Sequence, residues 1–182
     1  MADKKFNEEW GGILKLLIHD LSKEDSINFI GNEEDVMVIC DEGTIQNCIG
    51  CFGCWIKTPG QCVISDEYSS MGENISKCNE VIIISKCFYG GYSPFVKNVM
   101  DRSISYIHPY FEIRNNELHH KKRYKNHFEL SVYFYGDDIT EKEKATAEKL
   151  VKANSINFMC KIKNLAFLND IKSINELEGV IL

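Results

Sequence analysis

Two runs of this chain leave little freedom in how it can fold. Val36-Met37-Val38-Ile39 and Val81-Ile82-Ile83-Ile84 are apolar at every position and largely β-branched. A strand with one face in water alternates apolar and polar residues. A strand that is apolar throughout must be covered on both faces, the condition of a parallel sheet flanked by helices. Three further runs fit the same sheet: Ile13-Leu14-Lys15-Leu16-Leu17-Ile18, Leu130-Ser131-Val132-Tyr133-Phe134-Tyr135 and the weaker Leu165-Ala166-Phe167-Leu168.

Helical segments lie between these runs. Residues 69–78 place Met71 and Ile75 on one face. Residues 94–103 open with a first-turn proline and carry a stripe of Phe95, Val96, Val99 and Met100. Residues 140–153 begin with Thr140-Glu141-Lys142-Glu143, the capping-box pattern of a helix start. Strands alternating with helices predict an α/β fold with three layers and a five-stranded parallel sheet of order 2-1-3-4-5, its ligand crevice at the carboxyl ends of the strands. A length of 182 residues fits one domain over 1–182. Within it, residues 20–34 are short for a complete crossover. Residues 104–126 form a long insertion or arm with Tyr106, Tyr110 and Phe111, longer than an idle connection.

Charge narrows the function classes. Lys and Arg total 21 against 27 Asp and Glu, a net charge of −6. An acidic chain lacks the basic stripe that neutralises phosphates, so no nucleic-acid partner is expected. The first ten residues lack the apolar core of a secretory signal, and no apolar run approaches a membrane span. The expectation is a cytoplasmic protein without a membrane partner, in which eight cysteines stay reduced.

Four of those cysteines, Cys48, Cys51, Cys54 and Cys62, form C-x2-C-x2-C-x7-C. Three thiolates at intervals of three can each reach a different iron of one polynuclear cluster, and a fourth from a turn can close it. This spacing is nearer to that of [4Fe–4S] ligands than to the paired C-x2-C hooks of a zinc ribbon. Zinc ligation and free thiols remain as alternatives. Cys40, Cys78, Cys87 and Cys160 sit in or beside apolar runs and read as small buried hydrophobes.

Two stretches carry a resemblance. Residues 48–66, with Cys54-Trp55 and the acidic pair Asp66-Glu67, resemble the cysteine loop of flavodoxin-like NAD(P)H-dependent FMN reductases and iron–sulfur flavoproteins. The stretch Ser85-Lys86-Cys87-Phe88-Tyr89-Gly90-Gly91-Tyr92-Ser93, leading through Lys97 to Asp101-Arg102, is similar to that family's strand, flavin-contacting loop and following helix. The resemblance implies a flavodoxin-like fold and an FMN-dependent oxidoreductase, with a [4Fe–4S] cluster at the four cysteines relaying single electrons to or from the flavin. Electrons would come from NAD(P)H or a ferredoxin-like protein and leave to a quinone or another small-molecule acceptor. It also implies flavin contacts from Phe88, Tyr89, Gly90, Gly91, Tyr92 and Gly136, and a homodimer or higher homo-oligomer. No side chain is assigned as a catalytic acid or base.

One region departs from the family pattern. Where a Ser/Thr/Asn-rich phosphate loop is usual, this chain has His19-Asp20-Leu21-Ser22-Lys23-Glu24-Asp25-Ser26. Ser22, Lys23 and Ser26 can contribute to phosphate binding, whereas Asp20, Glu24 and Asp25 oppose it. Cys87 stands where many relatives have proline. A degenerate flavodoxin-like module, binding or redox-sensing without FMN, is therefore the alternative. His119-His120 would point to opposite faces of a strand, so with Lys121-Lys122-Arg123 they read as a solvated turn rather than a metal pair. The same basic run could meet the 2′-phosphate of NADPH or an acidic partner. His19, at the end of the first strand, is either a donor to a ligand or a hydrogen-bonded strand end.

Overall fold

A computed structural model describes residues 14–27, 35–171 and 173–174. Five parallel strands form the central sheet in the order β2-β1-β3-β6-β7: β1 (Lys15–His19), β2 (Val36–Cys40), β3 (Glu80–Lys86), β6 (Glu129–Tyr135) and β7 (Lys161–Leu168). Counting only these five gives 2-1-3-4-5, the flavodoxin-like order. β3 lies at the centre and is buried at all but its last residue, as its unbroken β-branched run demands. β7 is an edge strand, and its exposed start, Lys161–Lys163, explains why the apolar pattern reveals only its second half.

Alternation along the strands sends side chains into two apolar clusters. On one face Leu16, Ile18, Val81, Ile83, Leu130, Val132 and Phe134 pack beneath three helices. These are α3 (Met71–Ser76), α4 (Pro94–Arg102) and α5 (Glu141–Phe158), which contribute residues such as Met71, Val96 and Val151. On the other face Leu17, Ile82, Ile84, Tyr133 and Tyr135 pack with Leu21 and Ile174. Two short helices complete the list, α1 (Lys23–Ile27) and α2 (Gly53–Ile56).

The boundaries shift in places. The first strand starts and ends later than 13–18, and Ile13 lies outside the described residues. α5 runs five residues past the predicted end at 153, until Met159 adopts a left-handed C-cap at φ 55°. The long insertion holds a short 3-10 turn, Ser103–Tyr106, and a separate antiparallel hairpin, β4 (Ile107–Arg114) with β5 (Glu117–Lys122). Asn115 and Asn116 turn that hairpin with φ of 53° and 63°, the backbone of a two-residue type I′ turn. Of the connection 20–34, residues 28–34 lie outside the described residues. No helix among the described residues is long and apolar enough to cross a membrane.

Candidate functional site

In a 2-1-3 order the crossovers leave in opposite directions at β1 and β3, opening a crevice at their carboxyl ends. Asp20, the residue after β1, stands at that point. Its carboxylate accepts the Lys86 amide through both oxygens, at 2.9 and 3.2 Å, and its own amide donates to Ile84 O at 3.4 Å. Burial raises the Asp20 pKa, while hydrogen bonds from Ser93, the Lys86 backbone and Tyr135 lower it. Of the expected phosphate residues, Ser22 is engaged with Asp25, accepting its amide and donating to its carboxylate. Ser26 donates to Lys23 O at 3.1 Å, and Lys23 itself is exposed.

After β3 the chain makes a tight turn, closed by reciprocal backbone bonds between Phe88 and Gly91 at 2.9 and 2.8 Å. Tyr89 is held there at φ 51° and is 88% exposed; Phe88 meets it edge-on with ring centroids 6.2 Å apart. Gly90 has φ 80°, and a Cβ on it would come within 2.7 Å of Glu143 O and Thr146 on α5. That close approach seats the turn against the helix. Tyr92 points the other way: it is buried, stacks on Phe134 at 5.3 Å and accepts a bond from Asn154. Gly136 follows β6 and donates its amide to Leu168 O.

The four motif cysteines border one cavity of about 340 Å³, at the other end of α4. Eight residue steps of helix, a rise of about 12 Å, separate Pro94 from Arg102. Two α4 side chains fasten the loop that carries the cysteines. Asn98 accepts the Cys48 amide at 3.0 Å and donates to Gln46 O and Asn47 Oδ1. Arg102, wholly buried, makes a bidentate pair with Asp66, both contacts 2.6 Å, and donates to Gln46 O and Ile64 O. The Arg102 guanidinium holds the Asp66 carboxyl below its ordinary range. Arg102 also lines the cavity, and its buried Nε has no hydrogen-bond partner.

Burial pushes the Cys54 thiol up, and its neighbours Cys62, Cys48 and Cys51 add to this. Among the described residues, however, no three His, Cys, Asp or Glu side chains converge as a metal-binding group. The donor types suit a cluster; their present placement is that of separate thiols bordering a cavity. For a flavin the crevice divides similarly. The exposed Phe88–Tyr89 pair offers an apolar platform for a ring, but Ser22 and Ser26 are turned into their own helix and a carboxylate stands where an anion would approach.

His120 also lines the cavity, which sequence reasoning missed by treating it as part of a solvated turn. Its ring packs on Trp55 and Phe111 at 4.9 and 4.5 Å, and Nδ1 lies 2.8 Å from His108 O. A carbonyl only accepts, so Nδ1 is the donor in that bond. Its neighbour His119 instead meets Glu117 at 3.1 Å, on the opposite face, as strand alternation requires. Arg123 of the basic run is half-buried and donates to Ser105 O and Ile107 O. Of the four cysteines read as buried hydrophobes only Cys78 is buried, while Cys40, Cys87 and Cys160 are half-buried. Burial raises the pKa of all four, with Cys78 and Cys160 pushed up to about 12.

No family model matches the chain, and no curated protein matches it. Solved structures do. An azoreductase from Bacillus anthracis superposes with a TM-score of 0.54 at 10% identity, over 92% of this chain and 93% of its own. An NADPH-quinone reductase from P. pentosaceus gives 0.52 at 10% identity, over 92% and 94%. An NADH:FMN oxidoreductase gives 0.50 at 6% identity, over 93% and 88%. At such identity these likenesses establish the flavodoxin-like fold.

Proposed function

We propose that this protein is a flavin-dependent oxidoreductase, reduced by NAD(P)H and carrying FMN or a related flavin at the carboxyl end of β1 and β3. The observation that carries this reading is the solvent-facing Phe88–Tyr89 pair on a constrained turn directly after the central strand. Exposed aromatic rings at a switch-point crevice suit the flat face of an isoalloxazine. The names of the structural neighbours, an azoreductase, an NADPH-quinone reductase and an NADH:FMN oxidoreductase, support the same chemistry. When bound, the flavin supplies two-electron transfer from a nicotinamide to a small acceptor such as a quinone. The chain's part is to hold the ring between the β3 turn and the crevice, with Gly90 seating that turn firmly against α5.

Cys48, Cys51, Cys54 and Cys62 are the candidate ligands of a [4Fe–4S] cluster, formed by drawing the four thiols inward from the cavity wall. A ferredoxin-like donor and a homodimer are proposed alongside it. Protein isolated without oxygen is the test: flavin bands or FMN uptake support the oxidoreductase, and iron with acid-labile sulfide supports the cluster. Lack of binding of any flavin by the folded chain sinks the reading. One observation favours a second reading, a flavin-free redox module: the Asp20 carboxylate occupies the approach a phosphate needs.

A further inference from the structure

The β1/β3 crevice presents a carboxylate where a flavodoxin-like crevice would receive an anion. Asp20 takes up the Lys86 amide, removing a backbone donor from the crevice mouth. The two hydroxyls nearest in sequence are committed, Ser22 to Asp25 and Ser26 to Lys23 O. α1 spans five residues and carries Glu24 and Asp25 in its first turn, so its amino end offers no anion site. Among the described residues, Lys23 and Lys86 beside the crevice are both exposed to solvent.

From this arrangement, and resting on the flavin reading above, we infer that the crevice recognises a flavin by its ring and ribityl chain and discriminates against its 5′-phosphate, so that neutral riboflavin binds at least as tightly as FMN. Like charges within about 4–6 Å disfavour one another by about tenfold or more in an equilibrium. A phosphate taking the Lys86 amide would have to displace the Asp20 carboxylate or lie beside it. The same carboxylate welcomes neutral donors, as its bond to the Lys86 amide shows. A polyol chain offers donors of that kind without a charge.

Titration of riboflavin and of FMN into the full chain, followed by quenching of flavin fluorescence, tests this directly. Wild type is expected to bind riboflavin with a Kd equal to or below that for FMN. Asp20→Asn, which keeps the side-chain shape and removes the charge, is expected to strengthen FMN relative to riboflavin by about tenfold. An unchanged FMN-to-riboflavin ratio in Asp20→Asn overturns the inference. So does wild-type binding of FMN about tenfold tighter than riboflavin, a result that leaves the flavin reading standing. Binding of neither flavin by folded wild-type protein overturns the flavin reading and this inference with it. Should Asp20→Asn not fold, the wild-type ratio decides.

Discussion

The imidazole of His19 is 1% exposed at the end of β1. Its Nδ1 accepts the Leu21 amide at 3.2 Å, which leaves the proton on Nε2, buried without a partner. Burial lowers its pKa from 6.5 to about 4. Between those values the unfolded chain binds a proton that the folded chain refuses, so stability rises with pH across that window. Above pH 6.5 His19 is neutral in both states and exacts no penalty. As pH falls towards 4 the protein loses on the order of 3 kcal/mol through this residue. Urea denaturation at pH 7 and pH 4.5 measures the difference, and His19→Gln is expected to remove most of it. The buried Arg102–Asp66 pair makes a second residue-scale prediction. Asp66→Ala strands a guanidinium away from water and is expected to lose about 3–5 kcal/mol in chemical denaturation, more than a joint replacement of both residues by apolar ones.

At the scale of elements, α5 begins with a complete capping box, Thr140 accepting the Glu143 amide and Glu143 accepting the Thr140 amide. Thr140→Ala is expected to reduce stability by about 1 kcal/mol in denaturant unfolding. That cap was legible in the sequence because capping is a local bargain struck within four residues. β3 was legible for another reason: its middle, Val81–Ile84, is covered on both faces and therefore apolar at four successive positions, while the buried Glu80 and Ser85 at its ends are hydrogen-bonded. The β4–β5 hairpin escaped notice because its faces do not alternate cleanly; its one signal was Asn115-Asn116, two residues tolerant of positive φ. α2, only four residues inside the cysteine motif, is too short to show periodicity. The cysteine spacing itself was plain, whereas Asn98 and His120 were invisible as parts of that site. Their roles come from tertiary approach, α4 reaching the loop and the hairpin folding over it, across separations of 50 and 65 or more residues.

The hairpin and the cysteine loop make a single surface at the scale of the molecule. Phe52 stacks on Trp55 at 5.3 Å, Trp55 meets His120, and His120 meets Phe111, a continuous row of rings from loop to arm. Around it Ile49, Ile56, Tyr110, Ile113 and Leu118 are exposed. A concentration of apolar side chains of this kind is unusual on a monomer, and a two-fold self-association is the commonest way to cover one. The proposed homodimer therefore predicts a dimeric mass in sedimentation equilibrium. Ile113→Asp combined with Leu118→Asp, cross-strand neighbours on the hairpin, is expected to yield monomers with an unchanged far-UV spectrum. A dimer that persists in the double variant assigns the interface elsewhere.

The fastening of the cysteine loop to α4 has a kinetic consequence. The amides of Gln46 and Cys48 are held by the side chains of Asp66 and Asn98, not by a sheet ladder. Neither can exchange with deuterated solvent until those side chains let go, and both depend on α4 keeping its place. The two amides are therefore expected to exchange together with the helix, as one cooperative opening, far more slowly than the Gly43 amide in its exposed turn. The thiol-bearing loop thus inherits its lifetime from a helix some fifty residues further along the chain.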